Sequence, residues 1–134
     1  MEQNEDISFN SLIPELSVSN IERSKTFYTN LGFTIKYERK KEKFCFLQLE
    51  RNQIMIEENN NNWNTGKLEY PYGRGINISM TISDIEKMYN DLKEKNIDFF
   101  LELEVHKYKV NDEISYDKEF LLQDPDGYLL RFND

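Results

Sequence analysis

Across 134 residues the chain has one cysteine, Cys45, and one histidine, His106. A single cysteine excludes an internal disulfide, and its apolar setting, Phe44-Cys45-Phe46-Leu47, fits a reducing milieu. A single histidine excludes a two-histidine metal triad and leaves no credible Ser/His/Asp or Cys/His constellation. Glycine is scarce as well, and Gly73-Arg74-Gly75 lacks the strand-to-helix setting of a phosphate-binding loop. No apolar run approaches the ~20 residues that span a bilayer. The opening stretch, Met1-Glu2-Gln3-Asn4-Glu5-Asp6, lacks the basic-then-apolar form of a signal peptide. Basic residues are outnumbered 17 to 25, for a net charge of −8. Such a surface repels phosphate backbones and anionic lipid, so neither nucleic acid nor membrane is expected as a partner. The expectation is a soluble cytoplasmic protein.

Aromatic residues, by contrast, are abundant: nine Phe, eight Tyr and one Trp, 13% of the chain. Some must fill the core, and the surplus is what an apolar binding cleft needs. The sequence also repeats itself. Leu16-Ser17-Val18-Ser19-Asn20-Ile21-Glu22 has a counterpart in Met80-Thr81-Ile82-Ser83-Asp84-Ile85-Glu86, 64 positions on (Ser19 to Ser83, Glu22 to Glu86). Both pass from an alternating strand into a Ser-x-x-Glu capping box, in which side chains satisfy unpaired N–H groups at a helix start. Ile85, Met88, Tyr89 and Leu92 follow at helical spacing, as do Ile21, Phe27, Tyr28 and Leu31 with one gap. Gly32 ends the first helix, and the second runs out near Asn96.

Strands are expected at 33–38, 43–50 and 53–57, and again at 98–105, 118–123 and 128–132. Asp124-Pro125-Asp126-Gly127 reads as a tight turn, proline fixing φ and glycine supplying a positive one. The fold class is therefore α+β, a single domain of two fused βαβββ modules at about 11–58 and 75–133, joined by loop 59–74. A four-stranded sheet has two faces and one helix covers only one, so two half-barrels facing a common cavity are expected. Two segments break the symmetry. Loop 59–75 begins with an asparagine run that reads as a linker and continues through Trp63, Tyr70 and Tyr72. Segment 105–116, with His106, Tyr108 and Tyr116, reads as an inserted loop.

Several segments resemble the glyoxalase/bleomycin-resistance/dioxygenase (vicinal oxygen chelate) superfamily, closest to its bleomycin-resistance-like branch. The carrying stretches are Pro14 to Ser24, Phe27-Tyr28, Leu31-Gly32-Phe33, Pro71-Tyr72-Gly73-Arg74-Gly75-Ile76-Asn77 and Gln123 to Phe132. They run in the family's order from about Leu12 onward. The resemblance implies a homodimer whose paired chains complete the clefts, with the arm Met1 to Asn10 either crossing to the partner or disordered. It also locates the positions at which the family's enzymes hold a divalent metal: Ile13, Glu57, Asn77 and Arg131. Isoleucine donates nothing, arginine is cationic and an amide is a poor ligand, so no metal and no other cofactor is expected. A carboxylate-only site using Glu57 with Glu15 stays open.

If position 13 faces the cavity, strand alternation brings Glu15, Ser17, Met55, Glu57, Asn77, Ser79, Thr81, Leu129 and Arg131 to the same side. Arg131 is then expected to pair with Glu15 or Glu57. Phe46, Trp63, Tyr70, Tyr72 and Tyr108 are candidate aromatic walls, although each also serves as a packing residue. The ligand-binding set is thus Glu15, Phe46, Met55, Glu57, Trp63, Tyr70, Tyr72, Asn77, Ser79, Tyr108, Leu129 and Arg131, with no catalytic residue. The resemblance implies a metal-free small-molecule binding protein that sequesters a drug-like or cationic ligand, bleomycin among the possibilities, in a cleft at the dimer interface. The alternatives are a metal-dependent glyoxalase- or dioxygenase-type enzyme and a non-catalytic dimeric interaction protein.

Overall fold

The computed structural model describes residues 6–134; Met1 to Glu5, the start of the N-terminal arm, lie outside them. The chain forms two compact units that divide between Gly66 and Lys67. In the first, the elements are β1 (Glu15–Val18), α1 (Ile21–Leu31), β2 (Thr34–Arg39), β3 (Phe44–Leu49) and β4 (Asn52–Glu58). In the second they are β5 (Asn77–Thr81), α2 (Ile85–Glu94), β6 (Leu101–Val110), β7 (Glu113–Gln123) and β8 (Leu129–Asn133). Strand orders are β1-β4-β3-β2 and β5-β8-β7-β6, with the first pair parallel and the others antiparallel. Each unit is thus a βαβββ module, and the two share one topology.

The expected half-barrels are not formed. Each sheet is open, with β1 and β2 at the edges of one and β5 and β6 at the edges of the other. Four strands fall well short of the roughly eight that closure requires at ordinary tilt.

Alternation decides what each sheet buries. In the first, Leu16, Val18, Cys45, Leu47, Ile54 and Ile56 are buried together with Ile21, Tyr28 and Leu31 of α1. In the second, Met80, Phe120, Leu122, Leu130 and Phe132 are buried with Ile85 and Leu92 of α2, and Phe120 stacks on Phe132 at 5.2 Å. Each such side chain contributes about 1.5–3 kcal/mol of transfer free energy. Among the described residues, no helix is long and apolar enough to cross a membrane.

Both helices start one residue later than the capping boxes suggest. Asn20 Oδ1 accepts from the Arg23 N–H at 3.0 Å, and Asp84 Oδ1 from that of Lys87 at 3.2 Å. Serine, asparagine and aspartate are comparable N-caps, and the non-helical backbone at Asn20 and Asp84 selects these two over the serines before them. Ser19 instead accepts from the Arg23 guanidinium at 2.6 Å. At the other end Gly32, at φ 114°, closes α1 in the left-handed conformation. The expected loop over 105–116 is another correction. Those residues extend β6 and β7 into a long hairpin turned by Asn111 and Asp112, both at positive φ, 51° and 69°. Asn-Asp is a permitted pair for such a two-residue turn, and Val105, Tyr108, Ile114 and Tyr116 favour strand on either side of it.

The Asp124-Pro125-Asp126-Gly127 turn does more than reverse the chain. The buried Asp124 carboxylate accepts from the Asp126 and Tyr128 N–H groups, both at 2.9 Å, and the Asp126 carbonyl accepts from Tyr72 N–H at 2.8 Å. Gly127 sits at φ 97°, and a Cβ there would meet Pro71 Cα at 2.6 Å. The turn is therefore pressed backbone to backbone against the segment that leads into β5. Gly127→Ala combines a forbidden φ with a backbone collision and is expected to cost about 2–4 kcal/mol, read as a drop in urea midpoint. A change under about 0.5 kcal/mol would show that the contact can be relieved without cost.

Candidate functional site

Opposite its helix, each sheet carries a second face. In the first module one rung across the strands is Glu15, Met55, Phe46 and Tyr37, and the next is Ser17, Glu57, Phe44 and Arg39. Tyr37 stacks on Phe46 at 5.2 Å, Phe9 meets the Phe46 edge at 5.3 Å, and the Arg39 guanidinium lies 4.8 Å over the Phe44 ring. Phe46 is buried in this stack, so it supports the face rather than forming an open wall. The two carboxylates stand on neighbouring rungs. Although Glu15 is solvent-exposed at the residue level, desolvation of its carboxyl raises its pKa above the ordinary value. The Glu57 charge adds to this and Arg39 partly offsets it.

In the second module the rungs are Asn77, Leu129 and Gln123, then Ser79, Arg131 and Leu121, then Thr81, Asn133 and Glu119. Here the polar groups are tied together. Glu119 is buried, and its Oε1 accepts from Arg131 Nη2 at 2.9 Å and Nε at 3.3 Å. Its Oε2 lies 3.0 Å from His106 Nε2. Arg131 Nη1 donates to Asn77 Oδ1 at 3.2 Å, and Asn133 Nδ2 donates to Ser79 Oγ at 2.9 Å. A guanidinium held on two edges has little rotational freedom left, and its remaining N–H groups present a fixed pattern. Arg131 therefore takes Glu119 and Asn77, within its own module, as partners in place of the expected Glu15 or Glu57.

Glu119, His106, Tyr37 and Arg39 did not emerge from the sequence. Glu119 shares the parity of Leu121 and Gln123 along β7, but only the β7–β8 register shows that it reaches Arg131. His106 was read as a loop residue and lies in β6. Of the other aromatic candidates, Trp63 is 71% exposed in the connecting loop, Tyr70 is exposed, and Tyr108 is exposed on the β6–β7 hairpin. Tyr72 packs edge-on to Tyr128 at 5.8 Å. These aromatics occupy separate segments and do not form one wall within either module. Two open hollows flank Lys43; their lining includes the ion pairs Lys43 with Glu58 at 3.0 Å and Lys25 with Glu38 at 2.9 Å, and one of them also includes Glu57. Backbone donation from Ile21, with Lys43 second, holds the Glu58 carboxyl below its ordinary value, so that carboxylate serves as a cap for α1.

The four family metal positions can be tested on this geometry. Ile13 is half-buried and has no donor atom, while Arg131 and Asn77 satisfy each other. Among the described residues no three His, Cys, Asp or Glu side chains come together as a metal-binding group. A donor set of one carboxylate, one amide already used and one cation does not fit a divalent ion.

Residues 10–132 match the family described as the glyoxalase/bleomycin resistance protein/dioxygenase superfamily. A solved member of that superfamily from Vibrio splendidus 12B01 is 35% identical over 89% of this chain and 93% of its own, with a TM-score of 0.42. TioX from Micromonospora sp. ML1 is 12% identical over 93% and 98%, with a TM-score of 0.72. A bleomycin-binding protein solved with bleomycin is 18% identical over 94% and 98%, with a TM-score of 0.64. At those identities the last two show the fold alone. No curated protein matches the sequence.

Two outcomes follow from the charges. A carboxyl whose folded pKa is raised favours folding only while protonated. Stability from Glu15 is therefore present below its unfolded pKa and lost as pH rises through the folded value. Glu15→Gln is expected to raise stability at neutral pH, by less than about 1 kcal/mol given its exposure and read as a higher melting temperature, and to change nothing near ~pH 3. Equal effects at both pH values would exclude charge as the cause. Glu119→Ala, which strips the Arg131 guanidinium of its buried acceptor, should cost about 2 kcal/mol in a urea melt. A cost near zero would mean that solvent replaces the carboxylate freely.

Proposed function

Because the chain belongs to the glyoxalase/bleomycin resistance protein/dioxygenase superfamily, we propose that it is a metal-free binding protein for a small molecule. Its contact residues are those of the two polar sheet faces. The observation that carries this reading is the clamped guanidinium. Arg131 and Asn77 stand at two of the four positions that the family resemblance assigns to metal ligands and are hydrogen-bonded to each other, while Glu119 holds the other edge of the guanidinium. Such a corner offers oriented hydrogen-bond donors beside the Ser79 hydroxyl. Recognition needs only that, since a few fixed polar groups beside apolar surface set the orientation of a ligand. On the first module Glu15 and Glu57, beside the aromatic stack of Tyr37 and Phe46, favour a cationic or drug-like ligand. The acidic net charge of −8 acts in the same direction. Fold likeness to a protein solved with bleomycin makes that drug the reasonable first probe. The proposal includes a homodimer with the ligand at the interface between copies.

The test is a titration of chelator-treated protein with bleomycin, metal-free and copper-loaded, followed by heat and by Trp63 fluorescence, alongside metal analysis of the untreated protein. Saturable binding with Kd near ~1 μM or tighter, weakened about tenfold by Arg131→Ala, would support the reading. Binding that Arg131→Ala leaves unchanged would remove the clamp from the site. A stoichiometric metal in the untreated protein would overturn the metal-free reading and favour the enzyme alternative.

A further inference from the structure

The second face of the first module is not bare. Alternation along β4 adds Gln53 to the side that carries Met55 and Glu57, and its register partner on β3 is Gln48. Residues 8–10, ahead of β1, lie across that end of the face. Gln53 Nε2 donates to the Ser8 carbonyl at 2.7 Å, and its Oε1 accepts from the Asn10 N–H at 2.7 Å. Nε2 also donates to Gln48 Oε1 at 2.9 Å, which fixes the plane of the amide. Asn10 Nδ2 adds a bond to the Arg51 carbonyl at 2.7 Å. Gln53 thus grips the backbone on either side of Phe9, much as a strand neighbour would, and delivers that ring to Phe46 at 5.3 Å and 86°.

The segment and the residues beneath it differ in burial. Gln53 and Phe46 are 5% and 1% exposed, although both point away from α1. Phe9 is 56% exposed, and no residue from Ser8 to Leu12 is buried. The segment also has no regular secondary structure. A stretch held by hydrogen bonds and one ring contact, with no buried side chain of its own, opens at lower cost than the sheet beneath it. Once it opens, Phe46 loses its Phe9 neighbour and keeps Tyr37, on the rung that also carries Glu15 and Met55. That is the place a ring or an alkylammonium group would take on this face. Phe9 holds it first.

We propose that residues 8–10 form a strap that competes with ligand for the aromatic end of this face, with Phe9 as the plug and Gln53 as the latch. The inference rests on the reading of that face as a ligand surface, and it makes Phe9 an internal competitor instead of a wall. A site that is open in only a fraction of molecules binds with an apparent Kd equal to the intrinsic value divided by that fraction. The test is an NMR titration of the full chain with benzyltrimethylammonium, a ring that carries a fixed cation. Phe9→Ala removes the plug, and Gln53→Met keeps the length of the latch without its hydrogen bonds. Each should bind the probe about fivefold or more tightly than wild type. In wild type the probe should speed hydrogen exchange at the Asn10 amide, whose bond to Gln53 must break. Phe9 is exposed, so Phe9→Ala should keep the fold, checked by an unchanged melting temperature, and it carries the test alone if Gln53→Met does not fold. Weaker or unchanged binding by Phe9→Ala overturns the strap and leaves the ligand face standing. Slower Asn10 exchange with the probe bound does the same, because the arm would then close over the ligand. Absence of binding by wild type and both variants overturns the ligand face itself, and the strap with it.

Discussion

Everything on the polar faces depends on the fact that each sheet has one side sealed by its own helix. Leu16, Val18, Cys45, Leu47, Ile54 and Ile56 cannot leave the underside of α1 without exposing the whole core of their module. Because strand side chains alternate, a slip of one residue would expose all of them at once, so register is fixed by burial alone. Glu15, Met55, Glu57 and Arg39 reach the other side because their neighbours must be inside. The same holds for Asn77, Ser79, Leu129 and Arg131 in the second module. The chemistry of these faces is thus coupled to packing beneath them: a residue there can change without disturbing the core, and the backbone that aims it is held by that core.

The two modules have used that freedom differently. They share strand order, cap chemistry and the 64-residue offset, and yet one outer face carries two carboxylates beside stacked aromatic rings. The other neutralises its arginine with a buried glutamate. Burying Glu119 is costly unless its partners are well placed, and here one carboxylate oxygen accepts from both Nη2 and Nε of Arg131. That burial also imposes order, because a guanidinium tied to a buried carboxylate is held in one orientation.

How much of this was legible beforehand follows from the range of the interactions. Both helices and the alternation are readable because each is a pattern within ten or fifteen residues, and the repeat because two such local patterns recur 64 positions apart. Helix starts were displaced by one residue because Ser19-Asn20 and Ser83-Asp84 each offer two adjacent capping groups, and only the backbone geometry selects between them. The 105–116 segment was misread because polar and charged residues interrupt its strand formers, and the Asn111-Asp112 turn lacks glycine. Glu119 as the partner of Arg131 was beyond reach, since it depends on which rungs of β7 and β8 meet. The facing half-barrels were an inference from what four-stranded sheets need, and the sheets are open.

The position of Trp63 has a spectroscopic consequence. With its indole already 71% in solvent, it emits from a water-like environment while the chain is folded. Loss of tertiary structure therefore gives it little new to report, and denaturation monitored by tryptophan emission would pass almost unseen. The same feature makes it an optical witness for its loop: a blue shift in that band reports the indole leaving water, by movement of residues 59–66 or by something arriving over them.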